Sequence, residues 1–250
     1  MREQERTYRR WLESDLRRFR VRAGESDLLI SAERPLRDAA ERALLSVREE
    51  LEGYLREDPG FGEALRPYDP RADAPEVARE MAEAGRSCGV GPMAAVAGAV
   101  AERVGRALLA GSAEVIVENG GDVFLHLGRP RVAAIYAGSS PLSGRLGLRV
   151  GLTKQALGLC TSSGTVGPSL SFGRADAAIV LARSAALADA AATALGNRVQ
   201  TEADIAPALE HLATIPGVLG GAVIVGERLG AWGQVELAPI AAPEARPRGK

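Results

Sequence analysis

Near Glu114 the hydrophobic pattern of the chain changes period, and that change limits the architectures open to it. Before Glu114, apolar residues recur every three or four positions. After it, they come in short runs rich in Val, Ile and Leu, closed by Gly, Asn, Pro or Ser. The first spacing is that of a helix with one buried face; the second is that of strands between turns. Strands do not alternate one by one with helices. An α+β fold is therefore expected, with mixed or antiparallel sheets packed with helices, rather than a doubly wound parallel sheet.

The elements follow from this pattern. "LRRFRVRAG" and "SDLLISAE" read as a hairpin split at Gly24-Glu25. Pro35 opens a long amphipathic helix, and the proline- and glycine-dense stretch 58–75 is an ordered connector. A second helix starts near Pro75, and Gly91-Pro92-Met93 restarts the chain as a third that runs to about Leu109. "EVIVEN", "DVFLHL", "VAAIYAG", "LGLRVGL", "ALGLCT" and "ADAAIVLAR" are strands. "SAALADAAATALGNRV" and "TEADIAPALEHLAT" are helices, and "GAVIVGE" and "AWGQVEL" close the fold as strands.

Length and composition fit one domain over 1–240: a hairpin and helices over 16–110, a sheet-rich part over 112–238, and a disordered tail at 241–250. With 31 basic and 32 acidic residues the net charge is −1, which gives no electrostatic reason to expect nucleic acid as a partner. The charged N-terminus has no apolar signal segment, and the run Val90–Ala101 is too short to cross a bilayer, so no membrane insertion is expected. Cys88 and Cys160 form no disulfide framework, and we read a cytoplasmic protein with reduced thiols.

Four stretches carry chemistry. In "VENGGDVF", Asn119-Gly120 between two strands marks a hairpin turn; the further Gly121 and the flanking Glu118 and Asp122 suit a ligand's close approach, the acids holding hydroxyls or a cation. In "GVGPMAAVAGAVAE", Gly89, Gly91 and Pro92 set up a helix start whose free amides attract phosphate or carboxylate, with Gly91, Met93 and Ala94 as candidate ligand contacts, and Gly98 lets a neighbour pack closely; the alternative is a helix that only lies against the sheet. In "SAALADAAATALGN", Asp189 and Thr193 lie four apart on one face of an apolar helix; Asp189 either caps its own helix or, with Thr193, offers oxygens to a hard cation such as Mg2+. "GLCTSSGTVG" offers the thiol of Cys160 and the hydroxyls and amides of Thr161, Ser162, Ser163, Gly164 and Thr165 to an anionic ligand. Cys160 is either a small buried hydrophobe or a pocket thiolate with a lowered pKa, and the hydroxyls either satisfy their own loop or line the pocket.

Taken together and in order, "SDLLI", "VGPMAAVAGAVAE", "VENGGDVFL", "GLCTSSGTVGPSLSFGRADAA" and "ADAAATALGN" resemble the UPF0280 family, a branch of the ApbE-like superfamily, over residues 8–237. The resemblance implies an ApbE-like, T-fold-related domain. It also implies Mg2+-dependent chemistry on FAD, with FMN transferred to a threonine of an acceptor protein, Gly120-Gly121-Asp122 as the ligand-binding turn, and Asp189 and Thr193 as the metal pair. Two positions differ from the pattern: Ala97-Gly98 stands where the transferases carry Lys-Gly, and Pro168 where the family carries a histidine. UPF0280-type proteins are also linked to sulfide assimilation toward homocysteine, which implies an alternative: a sulfur carrier or sulfurtransferase with Cys160 as its catalytic thiol. A non-catalytic binding protein is the third reading. A second copy of the chain is kept as a further partner.

Overall fold

The structure is a computed structural model, and it describes residues 15–164 and 172–240. Thr165, Pro168 and the tail 241–250 lie outside the described residues.

Eight antiparallel strands form the main sheet: β1 (Arg17–Ala23), β2 (Ser26–Ala32), β3 (Val115–Asn119), β4 (Asp122–His126), β7 (Leu157–Ser162), β8 (Ala177–Ala182), β9 (Val218–Val225) and β10 (Arg228–Gly233), in that spatial order. The chain visits them in sequence. Helices are inserted where it leaves the sheet. Between β2 and β3 come α1 (Arg37–Glu57), α2 (Pro59–Glu63), α3 (Glu76–Cys88), a 3-10 turn at Pro92–Ala95, and α4 (Val96–Leu108). Between β8 and β9 come α5 (Ala185–Asn197) and α6 (Ile205–Leu212). A smaller antiparallel sheet is built from β5 (Arg131–Ala134), β6 (Leu146–Val150) and β11 (Glu236–Pro239), with β6 in the middle. The fold is α+β.

Two apolar layers sandwich the main sheet. Helix-side packing gathers Leu28, Ile30, Val117, Phe124, Cys160 and Val180 with Leu44, Met81, Val104 and Leu195 of the helices. The opposite face carries Leu125, Leu159, Ile179, Leu181 and Ile224 against Ile135, Leu148 and Val150 from the smaller sheet. Strand β8 explains its own composition: all six residues of "AAIVLA" are buried because alternate side chains face the two layers. In α1 the buried residues Ala40, Leu44, Val47, Leu51 and Tyr54 follow helical spacing and pack on β1 and α4.

The structure differs from the sequence reading at two elements. The connector 58–75 contains a short helix, α2, whose Phe61 is fully buried between Tyr54 and Tyr68. "AWGQVEL" is two strands rather than one. Gly233, at φ 78, turns the chain out of the main sheet, and residues from Glu236 onward pair with β6.

Candidate functional site

The site forms where the helix-side ends of β3, β4 and β7 meet the start of α4 and the second turn of α5. Asn119 and Asp122 pair across a tight turn whose centre, Gly120 and Gly121, has φ 77 and 126. Only glycine adopts both at little cost. Asn119 is buried, and its Nδ2 donates to the Ala97 carbonyl at 3.1 Å, which ties the turn to the start of α4.

Alternation along the strands decides which side chains enter the site. Asn119, Asp122, Cys160 and Ser162 fall on the helix side of the sheet, in register with Val117, Phe124 and Gly158. The Glu118 and Thr161 side chains fall on the opposite side with Ile116 and Leu159, while the Thr161 carbonyl stays beside the turn, 3.9 Å from where a Cβ on Gly121 would stand. Ser162 is buried beneath α5, its Oγ 3.5 Å from where a Cβ on Gly196 would stand. Ser163 and Gly164 follow β7, and Gly164 donates its N–H to the Ala175 carbonyl, within the loop itself.

Gly91 is a glycine for a reason other than a ligand. A side chain there would run into the backbone of Ala64. Met93 and Ala94, half-buried on the 3-10 turn, remain beside α5. Gly98 is the close-approach position: a Cβ on it would collide with the Ala185 carbonyl and come within 2.9 Å of Asp189 Cβ. Here α4 and α5 run antiparallel, so the residues that precede α4 lie along the turn of α5 that carries Thr193.

Asp189 does not cap its own helix. That role belongs to Ser184, whose Oγ accepts from the Leu187 N–H at 3.2 Å. Asp189 instead reaches across to α4, where its Oδ2 accepts from the Gly98 N–H at 2.9 Å, with the Ala97 amide also directed at the carboxylate. The Asp189 carboxyl is pushed well above the ordinary carboxylate range, first by loss of water and then by the Asp122 carboxylate, against the pull of the two amides.

Cys160 sits within the same cluster and is fully buried. Its Sγ lies 3.4 Å from the Ala185 carbonyl, to which it donates. Burial pushes the thiol well above its ordinary value, and the Asp122 and Asp189 carboxylates push it further; the Val123 amide opposes this. The direction is opposite to the lowered pKa expected for a thiolate. The donors expected around the sulfur are outweighed by two acids and by the absence of water. A neutral thiol is a poor nucleophile, so this direction argues against a persulfide on Cys160. Cys88 is buried too, and its thiol is pushed up to about 12 by burial alone.

Two carboxylates in one water-poor site repel each other unless one holds a proton or a cation lies near both. Asp122 and Asp189 are hard oxygen donors, the kind Mg2+ takes when one or two carboxylates share it with water and phosphate oxygens, and Thr193 lies one turn beyond Asp189 on α5. Among the described residues no group of three or more His, Cys, Asp and Glu is arranged to hold a metal. A cation here would thus draw its other ligands from hydroxyls, carbonyls, water or a bound phosphate. A cleft of about 500 Å3 opens elsewhere, between the two sheets, lined by Arg149, Leu152, Leu181 and Val235; none of the site residues lines it.

A family model described as "AbpE bacteria" matches residues 9–229. The chain belongs to this family. Its relatives include a UPF0280 protein of Methanocella arvoryzae, 44% identical over 212 residues, covering 84% of this chain and 86% of the relative. Another is a UPF0280 protein of Methanosarcina acetivorans, 44% identical over 214 residues and covering 84% of each. Among solved structures, the flavin transferase ApbE from Vibrio cholerae aligns with a TM-score of 0.57 at 13% identity, over 88% of this chain and 97% of that one. The apo flavinyl transferase ApbE of Pseudomonas stutzeri aligns with a TM-score of 0.53 at 16% identity, over 88% and 94%. The fold is therefore that of the ApbE flavin transferases. No helix among the described residues is long and apolar enough to cross a membrane.

The sequence reading missed Glu102. It is buried on α4, and its Oε2 accepts from the Ala185 N–H at 2.6 Å. The available signal was its spacing: Glu102 follows Gly98 by one helical turn, on the same face.

Proposed function

We propose that this chain binds a flavin nucleotide, FAD or FMN, together with Mg2+ at the Asp122–Asp189 site, and that it belongs with the flavin transferases in activity as well as fold. The observation that carries the reading is the convergence of Asp122 and Asp189, from elements far apart in sequence, on the start of α4. A cation shared by the two carboxylates would relieve their mutual repulsion, which supports the reading. Mg2+ bound there supplies charge neutralisation for a pyrophosphate. Asp122, Asp189 and Thr193 hold it. The Gly120-Gly121 turn, lacking side chains, lets the ligand approach the backbone, and Met93 and Ala94 form the wall beside α5. The partner of such a transferase is an acceptor protein with an accessible hydroxyl.

The test is a titration of FAD fluorescence with wild type and Asp122→Asn, in Mg2+ and in EDTA, with FMN and inorganic pyrophosphate as separate arms. Mg2+-dependent FAD binding is expected, weakened about tenfold or more by EDTA or by Asp122→Asn. Binding of pyrophosphate but not FMN would narrow the ligand to the diphosphate. No binding of any of the three in Mg2+ overturns the proposal.

A further inference from the structure

Among the buried residues of α4, Glu102 alone carries a charge. Its Oε2 accepts from the N–H groups of Ala185 at 2.6 Å and Ala186 at 3.4 Å. Its Oε1 is held by Arg106, at 2.9 Å to Nε and 2.5 Å to Nη2. The first N–H groups of a helix have no partner within it. In α5 side chains take three of them: Glu102 takes those of Ala185 and Ala186, and the Ser184 side chain takes that of Leu187. The Ser184 carbonyl then accepts the first bond of the helix itself, from the Ala188 N–H at 3.0 Å.

The arrangement is reciprocal. Glu102 of α4 receives the N-terminus of α5, while Asp189 of α5 receives the Gly98 and Ala97 amides at the N-terminus of α4. Each acid sits where the partner helix's dipole favours negative charge. Gly98, packed on Ala185 and Asp189, holds the backbones close enough for both bonds. The setting of α5 along and around its axis is thus fixed at two points one turn apart. One of those points is the proposed ligand Asp189.

We propose that Glu102 is a positioning residue for Asp189: it fixes α5 against α4 and thereby sets where the Asp189 carboxylate stands relative to Asp122. The inference rests on the proposed Mg2+ site. Loss of a side chain that orients a metal ligand costs about 10–100-fold in affinity.

The experiment is a Mg2+ titration by calorimetry of wild type, Glu102→Gln, Glu102→Asp and Glu102→Ala, each at a temperature where circular dichroism shows it folded. Glu102→Gln keeps an acceptor at the same reach and stays within a few-fold of wild type. Glu102→Asp keeps the charge but withdraws it by one methylene and weakens binding about tenfold; Glu102→Ala weakens it about 10–100-fold. If Glu102→Ala does not fold, the ranking of Gln above Asp still decides, because a purely electrostatic role gives the reverse order. Equal Mg2+ affinity in all folded variants overturns the inference while leaving the proposed function standing. A second arm needs no metal: the Gly98 amide proton resonance shifts in Glu102→Asp and stays in place in Glu102→Gln. If wild type takes no Mg2+, the functional reading falls and the metal-ligand role of Asp189 with it. The Gly98 resonance then still shows whether Glu102 sets the position of the carboxylate, and an unmoved resonance in Glu102→Asp refutes that as well.

Discussion

Replacing Asp189 separates its two jobs, accepting amides and holding a cation. In Asp189→Ala the Gly98 and Ala97 amides lose their acceptor. An unsatisfied buried donor costs about 1–3 kcal/mol. For a chain of this size each kcal/mol moves the midpoint by about 2–4 °C, so a fall of about 2–12 °C is expected. Asp189→Asn keeps a carbonyl oxygen for those amides and removes the charge. The folded-state pKa of Asp189 is raised, so the folded protein holds this proton more tightly than the unfolded chain. The associated stability is fully present below the unfolded value of about 3.9 and is lost as pH rises toward the folded pKa. In EDTA the wild type should therefore lose stability as pH rises through the weakly acid range. Asp189→Asn should lose less, and should equal or exceed wild type near neutrality. Mg2+ at a hundred times its Kd adds about 2.7 kcal/mol to wild type, or about 5–11 °C, and adds nothing to either variant. The assay is thermal unfolding by fluorescence between pH 5 and 8, in EDTA and in MgCl2. A full Mg2+ shift in Asp189→Asn refutes the ligand assignment. A fall in Asp189→Asn as large as in Asp189→Ala, in EDTA, refutes the account of the charge.

Two further outcomes follow from packing. Cys160 and Cys88, both buried with raised thiol pKa values, should react with iodoacetamide at pH 8 only when denaturant opens the fold; peptide mass spectrometry showing rapid native labelling of Cys160 would favour the reactive-thiol reading instead. Gly98→Ala should lower stability by about 1–3 kcal/mol, because its methyl group enters the space of the Ala185 carbonyl; an unchanged urea midpoint would show that α4 and α5 separate freely.

The change of period at Glu114 was enough to read an α+β fold from the sequence, because spacing reports which faces are buried. The same logic, carried one step further, would have placed the site residues better. Glu118 beside Asn119, and Thr161 beside Cys160, must point to opposite faces of a strand, and only one member of each pair joins Asp189. Gly98 was legible as a close approach because small residues have few other uses on an apolar helix. The partner of Asp189 was not, since it is a backbone amide 91 positions away rather than a side chain with a signature. Glu102 was hidden for the same reason: its acceptor role becomes visible only when α5 is laid against α4. The direction of the Cys160 shift was also out of reach, because hydroxyl-rich sequence around a thiol says nothing about the two acids that folding brings to it.

The smaller sheet has a consequence for how the chain is made. Its central strand, β6, emerges from the ribosome with β5 on one side, but its other neighbour is β11, near the end of the described chain. Everything between Val150 and Glu236 must be synthesised before that edge is closed. At about 5–20 residues per second this takes on the order of ten seconds. During that interval Leu148 and Val150 can cover one face of β7 and β8 only as part of a two-stranded ribbon, and such a ribbon is marginally stable in isolation. The nascent protein therefore passes through a stage with an open, apolar strand edge, the kind of surface that recruits chaperones or a neighbouring chain. Pairing of β11 with β6 is what ends this exposure.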